Sequence, residues 1–141
     1  MLKKSRYAYL AAACLFLAGV VTQVFLAGMV VVAQRMGWNN HIGLGHILAA
    51  PLLVMLISQY LGRLPGQTKR LTWLLFAAYV LQADVVIFLR SQVPPVSAFH
   101  PVLALVDFAL ALALARQAWP LARQAPAQRD ALPELETSPN S

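Results

Sequence analysis

Cysteine and acid are both scarce in this chain. Cys14 is the only cysteine, so neither an internal disulfide nor a thiolate cluster can form. Asp and Glu total 5 against 11 Lys and Arg, and charged residues make up only 11% of the 141 positions. An ordinary soluble domain carries about 25%. With 60% hydrophobic residues, a soluble fold of this length has too little interior for its apolar surface, whereas lipid can cover it. No phosphate-binding glycine loop, metalloprotease helix or nucleophile elbow appears. No catalytic residue is assigned, and the balance leans away from an enzyme. The net charge of +6 does not point to nucleic acid, because the basic residues are not gathered on one face or helix.

Long apolar runs are what the chain has in plenty. They cover residues 7–33, 41–60, 71–89 and 98–119. Each is close to or above the roughly 20 residues that carry a helix across a hydrocarbon core. The links at 34–40, 62–70 and 90–97 are short, with Pro65-Gly66 as a turn and Pro94-Pro95 forcing the last link out of helix. Short links favour antiparallel neighbours, so the expected fold is all-α: an integral membrane up-down-up-down four-helix bundle over 1–122. Residues 123–141, with Pro126, Pro133 and Pro139 and no apolar face, read as a disordered tail. No short-period repeat is visible. Gly19, Gly28, Gly43 and Gly45 are candidates for close helix contact.

Charge sets the expected orientation. Lys3, Lys4, Arg6, Arg63, Lys69, Arg70, Arg116, Arg123 and Arg129 lie on one side of this topology; only Arg35 and Arg90 lie on the other. The positive-inside rule then puts both termini in the cytoplasm of a bacterial inner membrane protein. The apolar stretch of 7–33 is too long for a signal-peptide core. Cys14, after three alanines, lacks the large aliphatic residue of a lipoprotein cleavage site and reads as a small residue buried in a helix. Tyr7, Tyr9, Trp73, Tyr79 and Trp119 include interface anchors.

All three histidines, His41, His46 and His100, fall toward the outer side, at or near the starts of the second and fourth runs. A six-coordinate haem b takes two axial imidazoles from opposite faces, and helices diagonal in a bundle can supply them. His100 and one of His41 and His46 are therefore candidate ligands to a haem iron. His41 and His46 are about 140° apart around a helix and do not serve one metal together. Arg35 and Arg90 are candidates to pair with haem propionates, with Trp38 and Phe99 near the ring edge. Gln23, Gln82, Asp84 and Asp107 are polar residues inside apolar runs, so they should face the bundle interior or find partners. For the two acids, an interhelical hydrogen bond outweighs a proton path; the two glutamines read as packing contacts.

Three segments carry a resemblance: Gln23-Val24-Phe25-Leu26-Ala27-Gly28, then Trp38-x-x-His41-x-x-Leu44-Gly45, then His100-Pro101-Val102. Together they resemble an uncharacterised family of small bacterial four-helix membrane proteins, over approximately residues 10–118, and that family implies no activity. More distantly, Gln23 followed by His41-x-x-x-Gly45, and Leu81-Gln82 followed by Pro94-Pro95 and His100, are similar to one four-helix half of the haem A synthase family. That resemblance implies His41 and His100 as the ligands. It does not imply haem A synthesis, since Gly37 stands where the catalytic half carries a glutamate and the loop cysteines are absent. The leading expectation is a b-type haem protein for electron transfer or redox or gas sensing. The alternative is a cofactor-free structural or accessory subunit of a larger membrane complex, with a protein partner or further copies of itself in the bilayer. A transporter assembled from several copies ranks third.

Overall fold

The computed structural model describes residues 2–123, and the regular structure among them is helical. The elements are α1 (Leu2–Val31), α2 (Asn39–Ile47), α3 (Ala49–Leu61), α4 (Gly66–Val80), a π-turn (Leu81–Val85), α5 (Val86–Leu89), a 3₁₀ turn (Pro94–Ala98) and α6 (Phe99–Arg123). Laid end to end they make four spans long and apolar enough to cross a membrane: Leu2–Val31, Asn39–Leu61, Gly66–Leu89 and Pro94–Arg123. The expected tail lies outside the described residues except for Arg123, which closes α6.

The spans outrun the apolar runs mainly at the ends that carry the cations. Lys3, Lys4, Gln67, Lys69 and Arg123 are helical. Such residues form helices readily, and a helix leaving lipid keeps its backbone bonds satisfied until water replaces them. Two interruptions have local causes. The second span breaks at Leu48, between α2 and α3. Pro51 lies four residues beyond Ile47, the last residue of α2, and a proline ring collides with the carbonyl four positions back. Pro94 and Pro95 do not expel their link from helix. They open the 3₁₀ turn, a first-turn position where a missing N–H leaves no helix bond unmade.

The first span packs against the second and fourth, and the fourth packs against the third. Tyr9, Phe16, Leu52, Met55, Leu75 and Leu114 are among the fully buried side chains at the centre. Apolar burial between helices gains little in lipid, so close van der Waals fit decides the packing. Gly19 shows it: a Cβ there would land 2.1 Å from Leu48 Cδ2. Gly45 is equally committed, since a Cβ would stand 2.9 Å from Gln23 Nε2. Gly28 and Gly43 meet nothing within 4 Å, so the expected close approach does not occur there. Cys14, expected to be buried, faces the surface. Leu15, Val24, Phe25 and Phe88 are also exposed, as outward faces of spans are.

Polar bonds join the spans at the end where the first begins. Arg6 Nε donates to Gly62 O at 3.1 Å and its Nη1 to Leu121 O at 3.2 Å. One guanidinium thereby meets the ends of the second and fourth spans. Tyr9, read as one of several aromatics that include interface anchors, is 0% exposed, and its hydroxyl meets Thr72 Oγ1 at 2.6 Å.

A long internal repeat becomes visible in this packing. A shift of 59 positions carries Gln23 onto Gln82 and His41 onto His100, and also pairs Leu15 with Leu74, Ala18 with Ala77 and Val21 with Val80. The same shift carries Gly62 onto Leu121, the two residues whose carbonyls share Arg6. Phe16 and Leu75, Leu52 and Ala111, and Met55 and Leu114 are buried in both copies. The first and second spans are thus matched by the third and fourth.

Candidate cofactor site: a matched pair of histidines

Each histidine of the pair is held by the helix before it. His41 Nδ1 lies 3.2 Å from Gln23 O, and His100 Nδ1 lies 3.2 Å from Gln82 O. Both bonds bridge 18 residues. A carbonyl oxygen can only accept, so Nδ1 carries a proton in both rings, and in the neutral form of the ring Nε2 then keeps its lone pair. This is the arrangement in which an imidazole is oriented for ligation through Nε2.

The third span makes its carbonyl available through the π-turn. The Val86 N–H turns back to Leu81 O, five residues earlier, instead of to Gln82 O at the α-helical spacing. The first span runs as continuous α-helix through Gln23, and there the carbonyl's second lone pair can take the imidazole. The amide ends of both glutamines are unusual too. Gln23 Oε1 and Gln82 Oε1 are buried without a hydrogen-bond partner.

The fit to a cofactor can be tested on distance and donor number. The His41 and His100 ring centres are 6.0 Å apart, with the planes inclined at 60°. A ligating imidazole nitrogen sits about 2 Å from its metal, so two rings flanking one iron have centres roughly 6 Å apart. Among the described residues, no group of three or more His, Cys, Asp or Glu converges to hold a metal ion. A bare ion would find two nitrogens here. A haem iron brings four nitrogens of its own and asks the protein for two, the number this pair of rings offers.

The other expected site residues fall as follows. Trp38 stands edge-on to His41, ring centres 5.5 Å apart, whereas Phe99 is exposed. His46 bonds Ile42 O in its own helix at 2.9 Å and is exposed, apart from the ring pair. Arg35 and Arg90 are exposed beyond the ends of the first and third spans. Asp107 is 2% exposed with Oδ1 unpartnered, about two turns along α6 from His100. Asp84, expected to face the interior, is exposed instead. It is part of the π-turn, whose wider winding departs from α-helical spacing. Asp84 and Asp107 therefore do not form a buried pair.

Sequence reasoning missed Tyr79 as an interior contact. Its hydroxyl donates to Gly45 O at 2.7 Å, and its ring stands edge-on to Phe16 at 5.9 Å. It also missed the glutamine carbonyls as anchors. The equal separations of Gln23 from His41 and of Gln82 from His100 were the available signal. Residues 23–86 match the model of a family of unknown function (DUF6220). No curated protein and no solved structure matches the chain. The stretch similar to that family holds the first glutamine–histidine pair and the second glutamine, and stops before His100.

Proposed function

We propose that this multi-pass membrane protein binds one b-type haem between its second and fourth spans, through His41 and His100, for electron transfer or for redox or gas sensing. The observation that carries the reading is the matched anchoring of two imidazoles whose ring centres are 6.0 Å apart. Each glutamine carbonyl holds one tautomer and one ring orientation, so that Nε2 is the free ligating atom. Arg35 and Arg90 are the cations available to haem carboxylates. When bound, the haem supplies the one-electron or gas-ligating chemistry; the protein supplies axial ligands, burial and nearby charge.

The orientation that goes with this reading is an up-down-up-down bundle in a bacterial inner membrane, with both termini cytoplasmic. Nine of the eleven cations would then face the cytoplasm, as positive-inside topology requires. Arg6 meeting the far ends of the second and fourth spans, and His41 meeting His100 at their starts, support alternating directions.

The test is a visible spectrum of the detergent-solubilised chain, oxidised and dithionite-reduced, with a pyridine haemochrome assay after expression with ample haem. A b-type spectrum lost in His41→Ala and in His100→Ala is the expected result. A folded, colourless protein that takes up no added haem would overturn it. Co-purification of that colourless protein with a stable membrane partner would establish the accessory-subunit alternative.

A further inference from the structure

At the end opposite the histidines, a groove of about 280 Å³ lies between the first and fourth spans, lined by Leu10, Cys14, Ala115, Arg116 and Trp119. Four of its five lining residues are apolar, and Arg116 is its one cation. Arg116 is exposed and belongs to an apolar span. It precedes Arg123 by seven residues, about 10 Å along the helix. An arginine at that depth on a lipid-facing surface is costly unless its head snorkels to the interface, where lipid headgroups lie.

The surrounding charge continues the pattern. Lys3 is two turns before Leu10 on the same stripe of α1, and Arg123 is two turns after Arg116 on the same stripe of α6. The Arg123 guanidinium also lies over the Trp119 ring, 4.1 Å from its centroid. The acids among the described residues are Asp84 and Asp107, and Asp107 is about 13 Å further along α6 from Arg116. The groove is therefore apolar along its walls and cationic toward its mouth, with no carboxylate lining it.

We propose that this groove binds one anionic phospholipid. An acyl chain lies along Leu10, Cys14, Ala115 and the Trp119 ring. The phosphate meets Arg116, with Lys3 and Arg123 adding attraction at the mouth. The net negative headgroup distinguishes this lipid from a zwitterionic one, because Arg116 lines the groove and no carboxylate among the described residues does. The proposal does not depend on haem.

Native mass spectrometry of the full-length chain, released from mixed micelles of phosphatidylglycerol and phosphatidylcholine, gives the first test. Phosphatidylglycerol should be retained about fivefold over phosphatidylcholine, the effect of about 1 kcal/mol per arginine near an anionic lipid. Arg116→Gln should lower that ratio by more than half, leaving the part due to Lys3 and Arg123, and Arg116→Lys should keep most of it. Location is read in nanodiscs from a chain carrying Trp38→Phe and Trp73→Phe, in which Trp119 is the only tryptophan. Brominated phosphatidylglycerol should quench its fluorescence more than brominated phosphatidylcholine. Equal retention of both lipids by the unmodified chain would overturn the proposal, as would a preference left unchanged by Arg116→Gln.

Discussion

The two helix pairs of this molecule repeat each other where they hold the histidines and diverge where they lock the bundle. At the histidine end the copies agree residue for residue in the essentials: a glutamine carbonyl and, 18 residues later, an imidazole 3.2 Å from it. At the other end the cross-links are one-sided. Arg6 serves carbonyls of both copies, yet its own counterpart by the shift of 59 is Pro65. Tyr9 bonds Thr72, whose counterpart is Ala13. A site that needs two like ligands constrains both copies alike. A lock needs only one side to reach across, and the first span touches both the second and the fourth.

Among the interior differences between the copies, one exchanges an apolar side chain for an acid. Leu48 is buried against Gly19, whereas its counterpart Asp107 is buried with no hydrogen-bond partner for Oδ1 among the described residues. Gly19 itself corresponds to Ala78. Glycine with leucine in one copy, and alanine with the smaller aspartate in the other, fill corresponding places with different shares of volume. Leucine there contributes packing alone; a buried carboxyl contributes a polar group that hydrocarbon does not repay.

The largest predicted effect tests the equivalence itself. His41→Ala and His100→Ala should each abolish retention of b-type haem to the same extent, read by pyridine haemochrome, while His46→Ala leaves it unchanged. Loss in only one of the pair would break the symmetry of the site. Next come the swaps at the divergent position. Leu48→Asp should destabilise the bundle by about 3–5 kcal/mol, as an uncompensated buried charge does. Asp107→Leu combined with Ala78→Gly should be neutral or stabilising, since the pair reproduces the Leu48–Gly19 fit and removes an unsatisfied group costing about 1–3 kcal/mol. Unfolding in graded SDS measures both, and a strongly destabilising Ala78→Gly/Asp107→Leu pair would show that the carboxyl has a partner in the membrane.

Arg6→Gln should cost about 1.5–3 kcal/mol, because two hydrogen bonds from a charged donor are lost at once. The same unfolding assay reads it. Substitution of Arg63, which is exposed near the same end, serves as the comparison and should change stability little. The smallest effect is expected for Tyr9→Phe. Hydrogen bonds between membrane helices average about 0.6 kcal/mol, and the loss should vanish in a Thr72→Val background if the Tyr9–Thr72 bond is its source. A double-mutant cycle gives that value directly.

Much of the architecture was readable from residue types and run lengths, because lipid demands about 20 apolar residues per span and satisfies nothing polar within it. The four spans, the short links and the candidate histidines follow from that demand. The ends were harder to read. Lys3, Lys4 and Lys69 look like link residues by hydropathy, yet their backbones remain helical beyond the apolar core. Asp84 and Asp107 look alike in sequence, since each is an acid in an apolar run. The structure separates them: one is exposed in a π-turn and the other is buried in α6. Helical spacing predicts a face only while the winding is regular, and a π-turn shifts every face beyond it.

The sequence by itself determined that this chain has four membrane-length helices, that its cations are unevenly divided among their ends, and that its few imidazoles occupy the starts of two of them. Composition and length suffice for those conclusions because the hydrocarbon core penalises every exception. Only the tertiary structure decided that His41 rather than His46 faces His100, and that glutamine carbonyls hold both rings. Those facts depend on which stripes of different helices meet. That meeting is set by close fit, such as Leu48 against Gly19, and by bonds between residues far apart in the chain.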